Sequence, residues 1–362
     1  MKIVLIYNLK KDPKAENLPD DYYSEFDSTE TVESIASAIR ANGHAVSLVE
    51  ADSQIVDKLM AELPDIAFNI AEGINGPSRE SQVPALLDYL GIPYTGSGVL
   101  PLALSLDKAC AKRLFIQQRI PTPRFQHIRD KSMPLRKDLT FPLIVKPNGE
   151  GSAKGITKDS VVYNRERALE EIARITSSYN KEAIVEEFID GKELTVAVLG
   201  NNEFVDLPIL EIDFSNCKVS GEYFYSWRMK EYQGNVAMGL TPSFYCPGRL
   251  DEDIAKKVKD TAYKAHMLIG CKDFSRVDIR LSRDNVPYVL EVNPLPGLDP
   301  SESNFPVIAK AVGMSYNKLV GTIIDLAVSR YKESLSNITT KTYIEPAGDM
   351  ISCREKGGKR CR

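Results

Sequence analysis

Arg276-Val-Asp-Ile-Arg-Leu281, a polar break from Ser282 to Asn285, and Tyr288-Val-Leu-Glu-Val-Asn-Pro-Leu-Pro-Gly297 form the most informative stretch of this 362-residue chain. Oxygen donors, Asp278, Glu291 and Asn293, punctuate two apolar, β-branched runs. A strand alternates its side chains, so Arg276, Asp278 and Arg280 share one face and Val277 and Ile279 the other. The same alternation sets Val289 with Glu291 and Asn293, and Leu290 and Val292 opposite. The short break predicts a hairpin that brings the two acidic faces together. Two carboxylates and an amide oxygen on adjacent strands suit Mg²⁺ bound with nucleotide phosphates. The plain alternative is a solvated hairpin face, where acidic residues usually lie.

Working outward, the length exceeds what one ordinary core needs, so two or three domains are expected. A formal net charge of −4 gives no reason to expect nucleic acid or an anionic membrane as partner. No apolar run approaches the roughly 20 residues of a membrane helix. The start, Met1-Lys-Ile-Val-Leu-Ile-Tyr-Asn8, reads as a strand rather than a signal peptide. The six cysteines lack C-x-x-C spacing, against zinc and against a disulfide framework. His44, His127 and His266 are isolated, so no His-centred triad is supported. A reduced, cytoplasmic protein is the expectation.

The pattern is α/β throughout. Ile3–Tyr7, Ala45–Val49 and Ile66–Ile70 read as strands, and residues 31–41 carry Val32, Ile35, Ala36 and Ile39 at helical spacing. Asp27-Ser-Thr-Glu30 fits a capping box with Asp27 as N-cap. Strand–helix–strand order predicts a parallel sheet in the first hundred residues, without the G-x-G-x-x-G of a dinucleotide site. Asp107–Gln118 is a predicted helix, ended by Ile120-Pro-Thr-Pro123. Strands follow at Phe141–Pro147, Ala183–Phe188 and Glu193–Leu199, with a helix over Arg165–Thr176. Residues 213–245 read as a long loop, Asp251–Ile269 as a helix and Phe305–Tyr331 as helical segments. Beyond Ser334 the pattern is lost, and a disordered tail is expected.

A second constellation begins at Lys146, followed by Pro147-Asn-Gly-Glu-Gly-Ser-Ala-Lys-Gly155. Glycines and a serine make a loop whose backbone N–H groups can approach phosphate oxygens, and the strand lysine can reach the same phosphates. A third group lies around the Asp190-Gly191 turn. Glu186 shares a face with Ile184 and Phe188, where a carboxylate can accept an adenine amino group; Glu193 can accept ribose hydroxyls. Edge-strand charges are the plain alternative for each.

Taken in order, Lys108, Lys146, Glu150-Gly-Ser152, Glu186…Glu193, Arg276-x-Asp278 and Glu291-x-Asn293-x-x-x-Gly297 resemble the ATP-grasp superfamily, and within it the D-alanine–D-alanine ligases. The likeness extends through Ile92-Pro-Tyr-Thr-Gly-Ser-Gly98, Leu106-Asp-Lys-Ala-Cys-Ala-Lys112, Gly270-Cys-Lys272 and Gly313-Met-Ser-Tyr316, and is weakest over the first seventy residues. The resemblance implies an α/β, ATP-grasp fold of three α/β lobes with ATP between the central and C-terminal lobes. Its expected domains are residues 1–104 on the substrate side, 105–205 as central lobe, 206–333 as C-terminal lobe with the metal site, and 334–362 as tail. It also implies an ATP- and Mg²⁺-dependent carboxylate–amine ligase working through an acylphosphate. Lys108 and Lys146, with Glu150, Gly151, Glu186, Phe188, Ile189 and Glu193, match the ATP-binding set. Asp278, Glu291 and Asn293 match the ligands of two Mg²⁺ ions, for which Mn²⁺ can stand in. Arg276 and the Gly297 N–H match the oxyanion-stabilising pair. Ser152 matches a residue orienting the first substrate, and Lys230 a loop lysine closing over the γ-phosphate, with residues 220–240 as a lid. The partners implied are an amino acid or small peptide, with a homodimer as the assembly.

Departures cluster where the substrate belongs. The family's His-Gly-x-x-Gly-Glu-Asp-Gly is here Glu72-Gly-Ile-Asn-Gly76-Pro-Ser-Arg79. Arg79 is expected to hold a substrate carboxylate through a bidentate pair. The N-terminal motif whose glutamate holds the first substrate's ammonium group is absent; Glu30 is the nearest candidate, and its capping-box position supplies the stronger, purely structural explanation. Asp299-Pro-Ser-Glu-Ser-Asn304 replaces the segment holding the second substrate, with Ser303 as the better match and Ser301 as the other. Altered amino acid or peptide specificity is therefore expected, beside an authentic D-alanine–D-alanine ligase or a phosphotransferase that stops before ligation.

Overall fold

The computed structural model describes residues 1–178 and 181–341. Its first sheet is all parallel, in the order β2-β1-β3, with β1 Lys2–Tyr7, β2 Ala45–Glu50 and β3 Ile66–Asn69. Helix α1, Thr29–Ala41, covers it with the expected Val32, Ile35, Ala36 and Ile39 buried. Its N-cap is Ser28 rather than Asp27: the Ser28 hydroxyl accepts from Thr31 N at 3.2 Å. Asp27 is instead held by its backbone to Asn8 and Lys10, which frees its carboxylate. Helices α2, Ile55–Glu62, α3, Gln82–Leu90, and α4, Val99–Leu106, complete this part.

Asp107 caps α5, Lys108–Gln117, accepting from Cys110 N at 2.9 Å. A four-stranded antiparallel sheet follows in the order β4-β7-β5-β6, with β4 Phe125–Ile128, β5 Leu143–Pro147, β6 Val161–Val162 and β7 Ala183–Glu187. Helix α6, Arg165–Ser178, covers it, and Ile128, Leu143, Val145, Ile172 and Val185 form a core of its own.

The third sheet runs β10-β9-β8-β11-β12, with β8 Gly191–Leu199, β9 Ile209–Asp213, β10 Ser243–Tyr245, β11 Phe274–Ser282 and β12 Pro287–Asn293. Strand β8 pairs along its whole length with β11, so it belongs with the C-terminal hairpin although it precedes residue 205. The stretch 213–245 is not one loop: it holds α7, Trp227–Glu231, capped by Ser226, and β10. Helix α8, Glu252–Ile269, lies on this sheet, and α9, Asn304–Ala311, and α10, Tyr316–Lys341, close the chain. The last helix passes the break expected at Ser334, and the rest of the expected tail, 342–362, lies outside the described residues. Phe274, Phe305, Leu319 and Ile323 pack with Ile3, Ile35 and Phe68, so the first and third sheets share one core. No helix among the described residues is long and apolar enough to cross a membrane.

One buried group gives this fold a pH dependence. His266, in the last turn of α8, places Nδ1 2.7 Å from Ser275 Oγ and packs edge-on against Phe204. Burial, then the Lys272 charge, lowers its pKa to about 4 from 6.5. The unfolded chain therefore takes up this proton first, and stability present above pH 6.5 is lost as the pH falls toward 4. The expected loss is about 3 kcal/mol. Urea unfolding across this window should show that component in the parent and not in His266→Gln.

Candidate active site

The hairpin forms, with one change of phase. Arg276 faces Asn293 and Asp278 faces Glu291 in register, and then the ladder shifts so that Ile279 faces Val289. Leu290 is the extra residue of a β-bulge, which reverses the alternation beyond it. Val289 therefore joins Val277, Ile279 and Val292 in the core instead of sharing the face of Glu291. Leu290 lines the cleft beside Glu291.

Both carboxylates are held by cations of the chain. Arg276 grips Asp278 side-on, with Nε 3.0 Å from Oδ1 and Nη2 2.8 Å from Oδ2, while Thr195 Oγ1 donates to Oδ1 at 3.0 Å. Lys108 Nζ lies 3.2 Å from Glu291 and donates to the Glu150 carbonyl at 2.5 Å. Burial works against an ionised Glu291, but Lys108, Lys146 and Arg276 keep its pKa below the usual range. Asn293 Oδ1 accepts from Leu295 N at 3.1 Å, which fixes the amide at the strand end. This donor set is hard, anionic and oxygen-only, the kind Mg²⁺ takes.

Across the cleft, Glu186 on β7 is buried between two lysines, with Oε1 3.2 Å from Lys146 Nζ and 3.4 Å from Lys112 Nζ. Burial lowers the Lys112 pKa to about 8 despite Glu186, and Thr122 Oγ1 lies 2.9 Å from its Nζ. Glu193 pairs with Arg280 at 2.9 Å; burial outweighs that partner and moves its pKa up to about 7. Phe188 stacks beneath the Arg280 guanidinium, 4.6 Å from the ring centre.

The Gly-rich loop leaves β5 and reaches a left-handed turn at Ser152 and Ala153, φ 47° and 57°. Such a conformation in two adjacent non-glycine residues needs outside support. Glu25 supplies it: Gly151 N donates to Glu25 Oε1 at 2.7 Å, and Gly155 N donates to Asp21 at 2.9 Å. A Cβ on Gly151 would stand 2.6 Å from that Glu25 oxygen, so only glycine permits the contact. Ser152 Oγ meets Lys230 Nζ at 2.9 Å, which joins the loop to α7.

A cleft of about 590 Å³ collects these groups, Glu186, Phe188, Asp278, Glu291 and Glu72 among them. Its lining includes the expected Lys108, Lys146, Glu150, Gly151, Ser152, Ile189, Glu193, Lys230, Arg276, Asn293, Gly297 and Ser303. Three expectations at the substrate end are corrected. Glu30 is exposed on α1 and does not line the cleft, whereas Glu25 and Asp27, just before the helix, do. Ser301 bonds to Asp299 at 2.7 Å and stays outside, while Ser303 Oγ accepts from Asp299 N at 3.1 Å and stands at the lining. Arg79 is buried, with Nη2 2.6 Å and 2.8 Å from the Glu25 oxygens, 3.3 Å from Glu150 and Nη1 3.0 Å from the Gly149 carbonyl. Its charge braces the Gly-rich loop, and it does not line the cleft. Lys112 was legible as the helical i+4 neighbour of Lys108; Glu25 and Glu80 carry no periodic or motif signal.

A family model described as "D-ala D-ala ligase C-terminus" matches residues 114–325. A D-alanine–D-alanine ligase of Desulforamulus reducens is 35% identical over 309 residues, covering 82% of this chain and 93% of that protein. The chain belongs to the D-alanine–D-alanine ligase family. An uncharacterized Sinorhizobium fredii protein, y4sG, is 33% identical over 307 residues, covering 83% of this chain and 88% of that one. The crystal structure of D-alanine–D-alanine ligase from Bacillus anthracis superposes with a TM-score of 0.73 at 25% identity, covering 92% of this chain and 99% of that one. The same enzyme complexed with ATP gives 0.70 at 24%, a likeness of fold. This member of the family thus has the ATP-grasp fold and is an ATP-dependent, C–N bond-forming ligase.

The Arg79 arrangement has a direct test. Arg79→Met would leave Glu25 and Glu150 buried without their main partner, an expected loss of roughly 3 kcal/mol. Urea midpoints and hydrogen exchange over residues 149–155 should both report it. A variant of unchanged stability that only raises KM for an amino acid would restore the carboxylate-binding reading.

Proposed function

We propose that this ligase phosphorylates a substrate carboxylate with ATP and joins it to an amine, with a specificity other than that of a plain D-alanine–D-alanine ligase. The observation that carries this reading is the contrast between the two ends of one cleft. Every carboxylate at the nucleotide and phosphate positions named above has a lysine or arginine partner. At the acceptor end Glu72 stands where the family has histidine, and Arg79 is committed to Glu25.

In the proposed mechanism Glu186 and Glu193 accept from the adenine amino group and the ribose hydroxyls, beside Phe188 and Ile189. Lys108 and Lys146 lie against the phosphates and offset negative charge on the transferring phosphoryl group, where positioning and electrostatics dominate. Two Mg²⁺ ions, held by Asp278, Glu291 and Asn293, would neutralise phosphate charge when bound. Ser152 orients the acid substrate, and Lys230 closes the loop side of the cleft against water. The amine then attacks the acyl carbon, the tetrahedral intermediate carries an oxyanion, and phosphate leaves. Arg276 and the Gly297 N–H supply its donors. A Cβ on Gly297 would lie 2.8 Å from Ser303 Oγ, so glycine lets that serine pack against the turn. This pair favours ligation over a phosphotransferase, which forms no such oxyanion. The lobes proposed for this work are 1–104, a central one carrying the β4–β7 sheet, and a C-terminal one carrying β8–β12.

The test is phosphate release from ATP with D- and L-amino acids, singly and in pairs, with products weighed by mass spectrometry. Amide formation with pairs other than D-alanine is expected; D-alanine as the sole good pair would mark an authentic D-alanine–D-alanine ligase. A phosphorylated product without amide would sink the ligation step. With the productive pair, Arg276→Met should lower kcat about a hundredfold while nucleotide binding, followed by a fluorescent ATP analogue, persists.

A further inference from the structure

Three carboxylates at the acceptor end have no hydrogen bond or ion pair with any described residue: Asp27, Glu72 and Glu80. Glu80 is only 8% exposed, in the single turn Arg79–Ser81, and Glu72 follows β3. Both face a side chamber of about 40 Å³, whose wall also includes Glu25, Lys108, Gly151, Ser152 and Glu291, the lysine being paired with Glu291. Glu72, Gly151 and Ser152 also line the main cleft, so the chamber adjoins the place where the acid substrate is expected. That volume admits an ammonium group with a water or two.

The electrostatics of the chamber are one-sided. Glu25 is neutralised by Arg79 and Glu291 by Lys108, at 2.6 Å and 3.2 Å. Arg79 acts on Glu72, and Arg79 and Lys108 on Glu80, without forming an ion pair with either acid, and their charges do not offset burial. Burial first, and then each acid's repulsion of its neighbours, holds both pKa values well above the carboxylate range. Two neighbouring acids without an ion pair, Glu80 buried and Glu72 half-buried, call for a proton or a cation. The adjoining acid-substrate position can supply such a cation as an ammonium group of the substrate itself.

We propose that the acid substrate carries a second amino group, whose ammonium enters this chamber and is held by Glu72 and Glu80. The enzyme is then a ligase for a diamino acid, or for a short peptide bearing one. This rests on the ligase reading and adds its substrate class. Glu72 and Glu80 act as specificity determinants, because an analogue lacking the ammonium leaves them without a paired cation.

The experiment compares alanine and serine with 2,3-diaminopropionate, ornithine and lysine, in both chiralities, as the substrate activated by ATP and Mg²⁺. Phosphate release and product mass are the readouts, each amino acid being tested alone and with a neutral partner. A diamino acid should exceed the neutral ones at least about tenfold in kcat/KM. Glu72→Gln and Glu80→Gln should each reduce that preference by a similar factor, mainly through KM, while retained binding of a fluorescent ATP analogue shows that the variants fold. Amide formation with neutral amino acids as good as with diamino acids would overturn the inference and leave the ligase reading standing, the two acids then merely sharing a proton. Variants that keep an undiminished preference would also overturn it. Absence of amide with every amino acid would overturn the ligase reading and this inference with it.

Discussion

The site depends on a single extra residue in one strand. Without the bulge at Leu290, a regular ladder would place Val289 on the face of Glu291, and the hairpin's core side would lose a methyl-rich neighbour of Val277 and Ile279. With it, Asp278 and Glu291 stand side by side on adjacent strands at the cleft while Val289 stays buried. Bulges re-aim side chains at just such places. Everything on the phosphate side follows from that register: Arg276 reaches Asp278 along its own strand, Lys108 reaches Glu291 from the start of α5, and Thr195 completes the contact from β8.

Around this register the chain balances charge pair by pair. Lys112 and Lys146 flank Glu186, Arg280 answers Glu193, and Arg79 with Lys154 answers Glu25 and Glu150. Buried ions are tolerated only when partnered, so these pairs keep an anionic cleft intact before nucleotide arrives. They also line the cleft with guanidinium and ammonium groups, where phosphate charge is proposed to lie. The acceptor end breaks the pattern, and its unanswered acids are therefore informative.

Much of this was legible in the sequence because it rests on short-range rules. Alternation and turn chemistry predict the hairpin; helical spacing predicts α1, α5, α6 and α8; the spaced lysines, glutamates and asparagine carry the family likeness. What escaped was decided by distant contacts. The bulge cannot be told from a regular strand by period. Arg79 is an arginine in a loop until Glu25, fifty-four residues earlier, is brought to within 2.6 Å. Ser28 displaces Asp27 as the cap because the backbone of Asp27 is already tied to Asn8. Strand β8 reads as a continuation of the central lobe and pairs instead with β11, since pairing is settled by packing and not by order along the chain.

The separate core beneath the β4–β7 sheet has a consequence of its own. The first and third sheets are one cooperative block, whereas the sheet carrying Lys146 and Glu186 is consolidated apart from it. The nucleotide cleft is the seam between two such blocks, and a ligand lying in it bonds to both. By mass action, anything bound only to the assembled seam stabilises the assembly. ATP is thus more than a reactant for this molecule: it is a removable keystone, and turnover alternately sets it in place and knocks it out.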